Sequence, residues 1–511
     1  MAGTQFPAPM TNENFLALVE HRAPRDPAAV LLEQEDGTTV SYGEMAALSS
    51  RIAHALARAG AKPGDRIAAQ VEKSAAALAL YLACLRGGFV YLPLNTAYQP
   101  AEVAYFLGDA EPAVFVCRPE SRAALDACAR DAKVGTVLTL DAAGHGTLAD
   151  AAATESSAHP VADARSDDLA VIIYTSGTTG RSKGAMLTHG NLASNGLALV
   201  EAWGFTADDV LLHALPLFHV HGLFVANHCV LLSGARMIFH RKYDASVALA
   251  NLARATVMMG VPTYYTRLLA EPGFTRESAS RVRLFISGSA PLLIETFREF
   301  ESRIGMAILE RYGMSEAGMI TSNPLHGERR GGTVGAPLPG NEVRVADADD
   351  RALPTGETGA IQIRGPNAFK GYWRMPEKTR EEFTADGWFR TGDVGCFDAD
   401  GYLAIVGRAK DLIISGGYNV YPKEIELELD TLPGVVESAV VGVPHPDFGE
   451  AVAAAVVLSP GATFDEAAVI ALLKTRLANY KVPKRVHVID DLPRNAMGKV
   501  QKAVLRERFS R

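Results

Sequence analysis

An α/β fold with a largely parallel sheet is expected for this chain of 511 residues. Three observations predict it: short apolar runs alternate with helical stretches, several runs end in Gly- or Pro-bearing loops, and no heptad or internal repeat competes. Tyr42-Gly43-Glu44 opens an amphipathic stretch that runs toward Gly60. Residues 67–70 read as a strand, 75–86 as a buried helix, and 87–94 as a turn into a second strand. Residues 141–168, rich in Ala, Asp, Ser and Gly, read as a surface excursion or connector. The rhythm then resumes with apolar runs at 169–173, 210–216, 257–262 and 284–291, and a helix from Thr263 has Pro262 near its start. Loops at such strand ends are where open α/β sheets hold ligands. From Gly340 the pattern alternates with period two, at 343–345, 360–364 and 401–408, which predicts a β-rich subdomain. Beyond Lys410 about 100 residues remain, enough for a small domain of their own.

Composition narrows the function classes. A net charge of −8 disfavours nucleic acid or an anionic membrane as the main partner. The five cysteines are scattered without a Cys-x-x-Cys pair, so neither a disulfide frame nor a zinc site is expected, and a reducing, cytoplasmic setting is. No apolar run reaches transmembrane length and no signal peptide is evident.

Five stretches carry chemistry. The first, Tyr174 to Gly184, is dense in hydroxyls and glycines and bears Arg181 and Lys183. Glycine lets amides curl around an anion, and hydroxyls and cations bind phosphate oxygens. A polyphosphate is the expected guest, although the Gly180-Arg181-Ser182-Lys183 order is not a Walker A loop. The competing reading is a solvated turn. The second, Glu310 to Glu316, offers an aromatic ring for a base and a carboxylate for Mg²⁺. Read alone, it could equally be a helix start capped by Ser315. The third, Arg390 to Asp393, offers an acid for ribose hydroxyls or a plain turn. The fourth, Gly407 to Glu426, contains Gly416-Gly417, an ordinary hairpin if taken alone. The fifth, Leu492 to Lys499, ends in a lysine that in isolation reads as solvated charge. Arg267, about one turn inside its helix, is a fork for a carboxylate or else a structural ion pair.

In register, these stretches resemble the adenylate-forming superfamily of acyl-CoA synthetases, peptide-synthetase adenylation domains and beetle luciferases, over nearly the whole chain. The resemblance implies an N-terminal ATP- and acyl-binding domain over 1–409, with layered α/β sheets plus the β-rich subdomain. It implies a small mobile α+β domain over 410–511 that pivots near Lys410. Thr175, Ser176, Gly177, Thr178, Thr179, Gly180 and Lys183 are then expected at the phosphates, and Tyr312, Gly313 and Ser315 at adenine, with Ser315 standing where Thr is usual. Asp393 and Arg408 are expected at ribose or phosphate, Glu316 and Thr179 at Mg²⁺, and Gly416 and Gly417 at the pantetheine arm of coenzyme A. Lys499 and Glu316 are the implied catalytic pair, Lys499 offsetting charge as a carboxylate attacks ATP. The two half-reactions would be served in turn by Lys499 and by Gly416-Gly417.

Runs 260–267, 285–292 and 492–499 look most like malonyl-CoA synthetases, which implies malonate and methylmalonate as acids. Arg267 would hold the second carboxylate, in a pocket lined by His219, His221, Ser287, Ser289 and Met314. Small molecules are the expected partners, with neither nucleic acid nor membrane, in a monomer or homodimer. A lysine acetyltransferase and deacetylase acting on Lys499 are further implied partners. The alternatives are a short-chain acyl-CoA synthetase of other specificity, or a stand-alone enzyme loading a carrier protein.

Overall fold

A computed structural model describes residues 11–175, 182–415, 418–445, 449–477, 479–495 and 498–510. The chain folds as two compact units. The first comprises residues 1–331, 335–342 and 364–383, and the second 332–334, 343–363 and 384–511. Residues 343–363 and 384–409 thus group with the C-terminal residues, whereas the sequence reading drew its line at 410.

The first unit holds two sheets. Six strands run in the order Thr136–Thr139, Val114–Cys117, Arg66–Gln70, Val90–Pro93, Leu169–Thr175, Lys183–Thr188. All pairs are parallel except the last. Buried strands of this kind read as continuous apolar runs, and Val90–Pro93 and Val114–Cys117 are buried at every position. The second sheet has nine strands, with Val210–His213, Val257–Gly260, Leu284–Ser287 and Leu309–Met314 in its parallel centre. One end of it is the hairpin Val30–Gln34 and Thr39–Ser41, which docks in parallel on Arg236–Phe239.

Helix Tyr42–Arg58 starts where the sequence places it, because Ser41 and Glu44 close a capping box. Helix Ala75–Arg86 is buried almost all round, which its run of Ala and Leu dictates. Residues 141–168 are not wholly a connector: Thr147–Ala153 is a short helix that buries Leu148 and Ala152. Nor does Glu310 to Glu316 open a helix. Leu309–Met314 is a strand paired antiparallel with Gly318–Ser322. Gly313 is needed there, since a Cβ would meet the Gly318 carbonyl oxygen at 2.2 Å.

The second unit combines a four-stranded antiparallel sheet (Glu342–Ala346, Gly359–Arg364, Phe389–Phe397, Leu403–Arg408) with a five-stranded one built on the long pair Val435–His445 and Gly449–Leu458. Residues alternate along that pair: Val440, Val452, Ala454 and Val456 pack with helix Pro422–Asp430, and Ala439, Val441, Ala453 and Ala455 with Leu505. Among the described residues, no helix is long and apolar enough to cross a membrane.

Candidate active site

Strands Leu169–Thr175 and Lys183–Thr188 pair with Thr175 opposite Lys183. Ser176, Gly177, Thr178, Thr179 and Gly180 lie outside the described residues, as do Gly416 and Gly417 and the side chain of Lys410. What the structure gathers around Lys183 is informative. The Lys183 ammonium stands 4.2 Å over the Tyr372 ring and 3.4 Å from Glu382. The Tyr372 hydroxyl donates to Glu316 Oε1 at 3.0 Å. Backbone bonds fix this triad: Trp373 N–H donates to the Gly184 oxygen, Lys370 N–H to that of Met186, and Phe369 N–H to that of Glu316. Thr175, Lys183 and Glu316 are therefore neighbours through residues 368–373, a strap that sequence reasoning passed over.

Glu316 is buried at the turn between two strands, with Ser315 and Met314 half-buried beside it. Burial and the Glu316 charge push the Tyr372 phenol well up, so it stays protonated and able to donate to that carboxylate. Mg²⁺ favours sites of one or two carboxylates completed by phosphate and water oxygens. A single buried carboxylate fits that need, and no group of three or more His, Cys, Asp or Glu side chains placed for a metal occurs among the described residues.

A second constellation lies at the ends of the nine-stranded sheet's central strands. The buried His221 faces Ser289, with Nδ1 3.2 Å from Oγ. The backbone N–H of His221 donates to His219 Nδ1 at 3.2 Å. Ser289 adopts φ +73°, a left-handed conformation that costs a non-glycine residue and recurs at functional sites. Arg311 lies beneath Gly288, where an added Cβ would meet its Cζ at 2.4 Å. Arg311 is buried, yet Nε and Nη2 have no hydrogen-bond partner; nor do Ser287 Oγ and His221 Nε2. Burial pushes the guanidinium down to about 9, with Tyr265 and Glu310 working against it. Burial first, and then the Arg311 charge, hold His221 well below the ordinary imidazole range, so it is neutral.

Buried polar atoms are normally satisfied, yet here two nitrogens of the cation and two neighbouring atoms, Ser287 Oγ and His221 Nε2, stay open to a ligand. Arg267, expected at the second carboxylate, lies on helix Pro262–Leu269. It is exposed, two residues beyond the buried Tyr265, and its charge acts on Tyr243 and Tyr264. Arg311 lies inside the Glu310 to Glu316 stretch, where the sequence alone suggests no role for it. Period-two alternation on a strand would have singled it out, since it points opposite to Tyr312.

In the second unit, Asp393 is buried and pairs with Arg408, Nε to Oδ1 3.2 Å. The Thr391 hydroxyl accepts the Asp393 N–H and donates to the Ile361 oxygen. Lys499 is half-buried on a turn closed by its N–H donating to Asn495 Oδ1 at 3.0 Å. Arg494 braces that turn, donating to the Gly498 oxygen at 2.7 Å and pairing with Glu437.

Two family models match the chain: AMP-binding enzyme over residues 19–373, and AMP-binding enzyme C-terminal domain over 424–499. A feruloyl-CoA synthase of Amycolatopsis sp is 38% identical, the match covering 98% of this chain and 100% of that one. A malonate–CoA ligase of Arabidopsis thaliana is 35% identical, covering 92% of this chain and 85% of the relative. The crystal structure of ATP-bound MatB from Rhodopseudomonas palustris is 55% identical, superposes with TM-score 0.96, and covers 98% of this chain and 99% of its own.

Proposed function

Because this chain belongs to the AMP-binding enzyme family and is an AMP-forming acyl-CoA ligase using ATP, Mg²⁺ and coenzyme A, we propose that its acid is malonate, with methylmalonate as a second substrate. One observation carries the reading. Arg311 is a buried cation with two nitrogens open beside His221, Ser287 and Ser289. A fatty or aryl tail would leave those two nitrogens without acceptors, whereas a second carboxylate would satisfy them and add to the charge of Glu310. The malonate–CoA ligase of Arabidopsis supports the choice, and the feruloyl-CoA synthase keeps another acid in view. We further propose that the exposed Arg267 guides the dicarboxylate toward this pocket.

The chemistry follows from the carboxylate being a poor acyl donor. Its reacting oxygen attacks the α-phosphorus of ATP, pyrophosphate leaves, and the acyl-adenylate then loses AMP to the coenzyme A thiol. Bound Mg²⁺ neutralises phosphate charge, and Glu316 is the residue proposed to hold it. Tyr372 orients that carboxylate. Asp393, together with Arg408, is proposed to bind ribose. Lys499 is proposed to offset charge on the attacking oxygen and α-phosphate.

The test is Arg311→Met assayed with malonate and with butyrate. Malonate kcat/KM is expected to fall roughly 100-fold or more, the scale of a lost charge-assisted bond, and butyrate to hold within a few fold. Equal losses for both acids, or an unchanged malonate value, would remove the dicarboxylate assignment.

A further inference from the structure

Lys73 is a buried lysine on the loop between strand Arg66–Gln70 and helix Ala75–Arg86. Its ammonium reaches across to the end of a strand in the other sheet. It lies 3.0 Å from His213 Nδ1, 2.9 Å from the His213 oxygen and 2.9 Å from the Leu215 oxygen. It also sits 4.3 Å over the Phe239 ring. An ammonium has three donors and no acceptor, so three acceptors satisfy it fully. The Gly222 oxygen near Nε2 can only accept, which assigns the hydrogen of His213 to Nε2 and leaves Nδ1 to accept from Lys73. Nε2 stands 3.1 Å from the Gly222 oxygen, which also accepts from Asn227 Nδ2 at 3.0 Å.

Gly222 belongs to a π-helical turn, His221–Ala226. Such turns lack the α-helical bonding pattern and need outside support. A Cβ at Gly222 would lie 2.1 Å from the Pro216 oxygen, so this backbone has little freedom. His221, which opens the turn, is the side chain facing Ser289 in the pocket described above. A continuous path therefore runs from Lys73 through His213 and Gly222 to His221.

Resting on the reading of that pocket as the acyl site, we propose that Lys73 is a positioning residue. Through neutral His213 it pins the π-turn and so fixes the imidazole of His221 against the bound acid. A merely structural lysine would affect stability and all substrates alike. A positioning one affects the acid and not the nucleotide.

The experiment uses the full chain. Lys73→Met is expected to raise the malonate KM about tenfold or more, the loss for a buried charged hydrogen bond, with the ATP KM within about twofold. His213→Leu should match it. His213→Gln keeps an acceptor and a donor and should recover most of the affinity. In ¹⁵N–¹H spectra of histidine-labelled protein, the signal absent from His213→Gln should show the Nε2–H tautomer, and lose that pattern in Lys73→Met. A folded Lys73→Met with an unchanged malonate KM overturns the proposal, as does an ATP KM that rises in step, or an Nδ1–H tautomer in the parent. Should Lys73→Met not fold, a malonate KM gap between His213→Leu and His213→Gln supports the proposal and equal values overturn it. If Arg311→Met shows no malonate-specific loss, the acyl-pocket reading is what fails, and the tautomer measurement still judges the Lys73–His213 link.

Discussion

Two guanidinium nitrogens of Arg311 are left without acceptors in a buried setting, and folding tolerates this only at a cost of a few kcal/mol. Such a cost is typical of sites that must receive a ligand's charge. Lys499 is the complementary case: half-buried, on a turn braced by Asn495 and Arg494, and so held in place before substrate arrives. Lys499→Ala is expected to lower adenylate formation by about 100-fold or more, the scale of a lost preorganised charge, while sparing thioester formation from supplied malonyl-adenylate. Pyrophosphate release and thioester yield measured separately decide this; equal loss of both would show that Lys499 serves the two steps alike. Lys499, Glu316 and Asp393 stand out in the sequence because their stretches, each ordinary when taken alone, resemble the family's motifs in register. Arg311 and Lys73 do not. Lys73 meets His213 140 positions further on, a pairing no local pattern reports, and the alternation that sets Arg311 apart from Tyr312 shows only once their stretch is known to be a strand.

Elements were legible where one period ruled. The apolar runs became strands and the Ala- and Leu-rich run 75–86 became a buried helix. The short helix Thr147–Ala153 was hidden because only Leu148 and Ala152 are buried, too few for a visible stripe. Strand Leu309–Met314 was masked by Gly313 and Ser315, which read as a turn or cap when the pairing partner is unknown. The π-turn His221–Ala226 was beyond reach, since its register depends on Pro216 and His213. Gly222→Ala drives a methyl into the Pro216 carbonyl, and overpacking of this kind costs roughly 1–3 kcal/mol. The guanidinium unfolding midpoint should drop accordingly and the malonate KM should rise. Unchanged values of both would mean that the turn relaxes freely and does not shape the pocket.

Across the first unit as a whole, buried imidazoles are held neutral. Burial lowers His189 from 6.5 to about 4 and His228 to about 3, and lowers His213, His221 and His240 as well. His189 Nδ1 accepts the Phe15 N–H at 3.0 Å, a bond that protonation would break. Above pH 6.5 His189 is neutral folded or unfolded and adds no pH dependence. Between 6.5 and about 4 only the unfolded chain takes the proton, so stability falls as pH falls, by roughly 3 kcal/mol for this residue alone. Guanidinium unfolding at pH 7 and pH 5 should show the drop, and His189→Gln, which can still accept through its amide oxygen, should flatten it; an equal slope in both proteins would assign the effect to other groups. The placement of hairpin Val30–Ser41 against Arg236–Phe239 has a consequence for biosynthesis. The early strands leave the ribosome with one edge bare, and their docking strand is made roughly 200 residues later, a delay on the order of 10 s or more at ordinary elongation rates. Through that interval the nascent polypeptide offers unpaired amides to any passing strand.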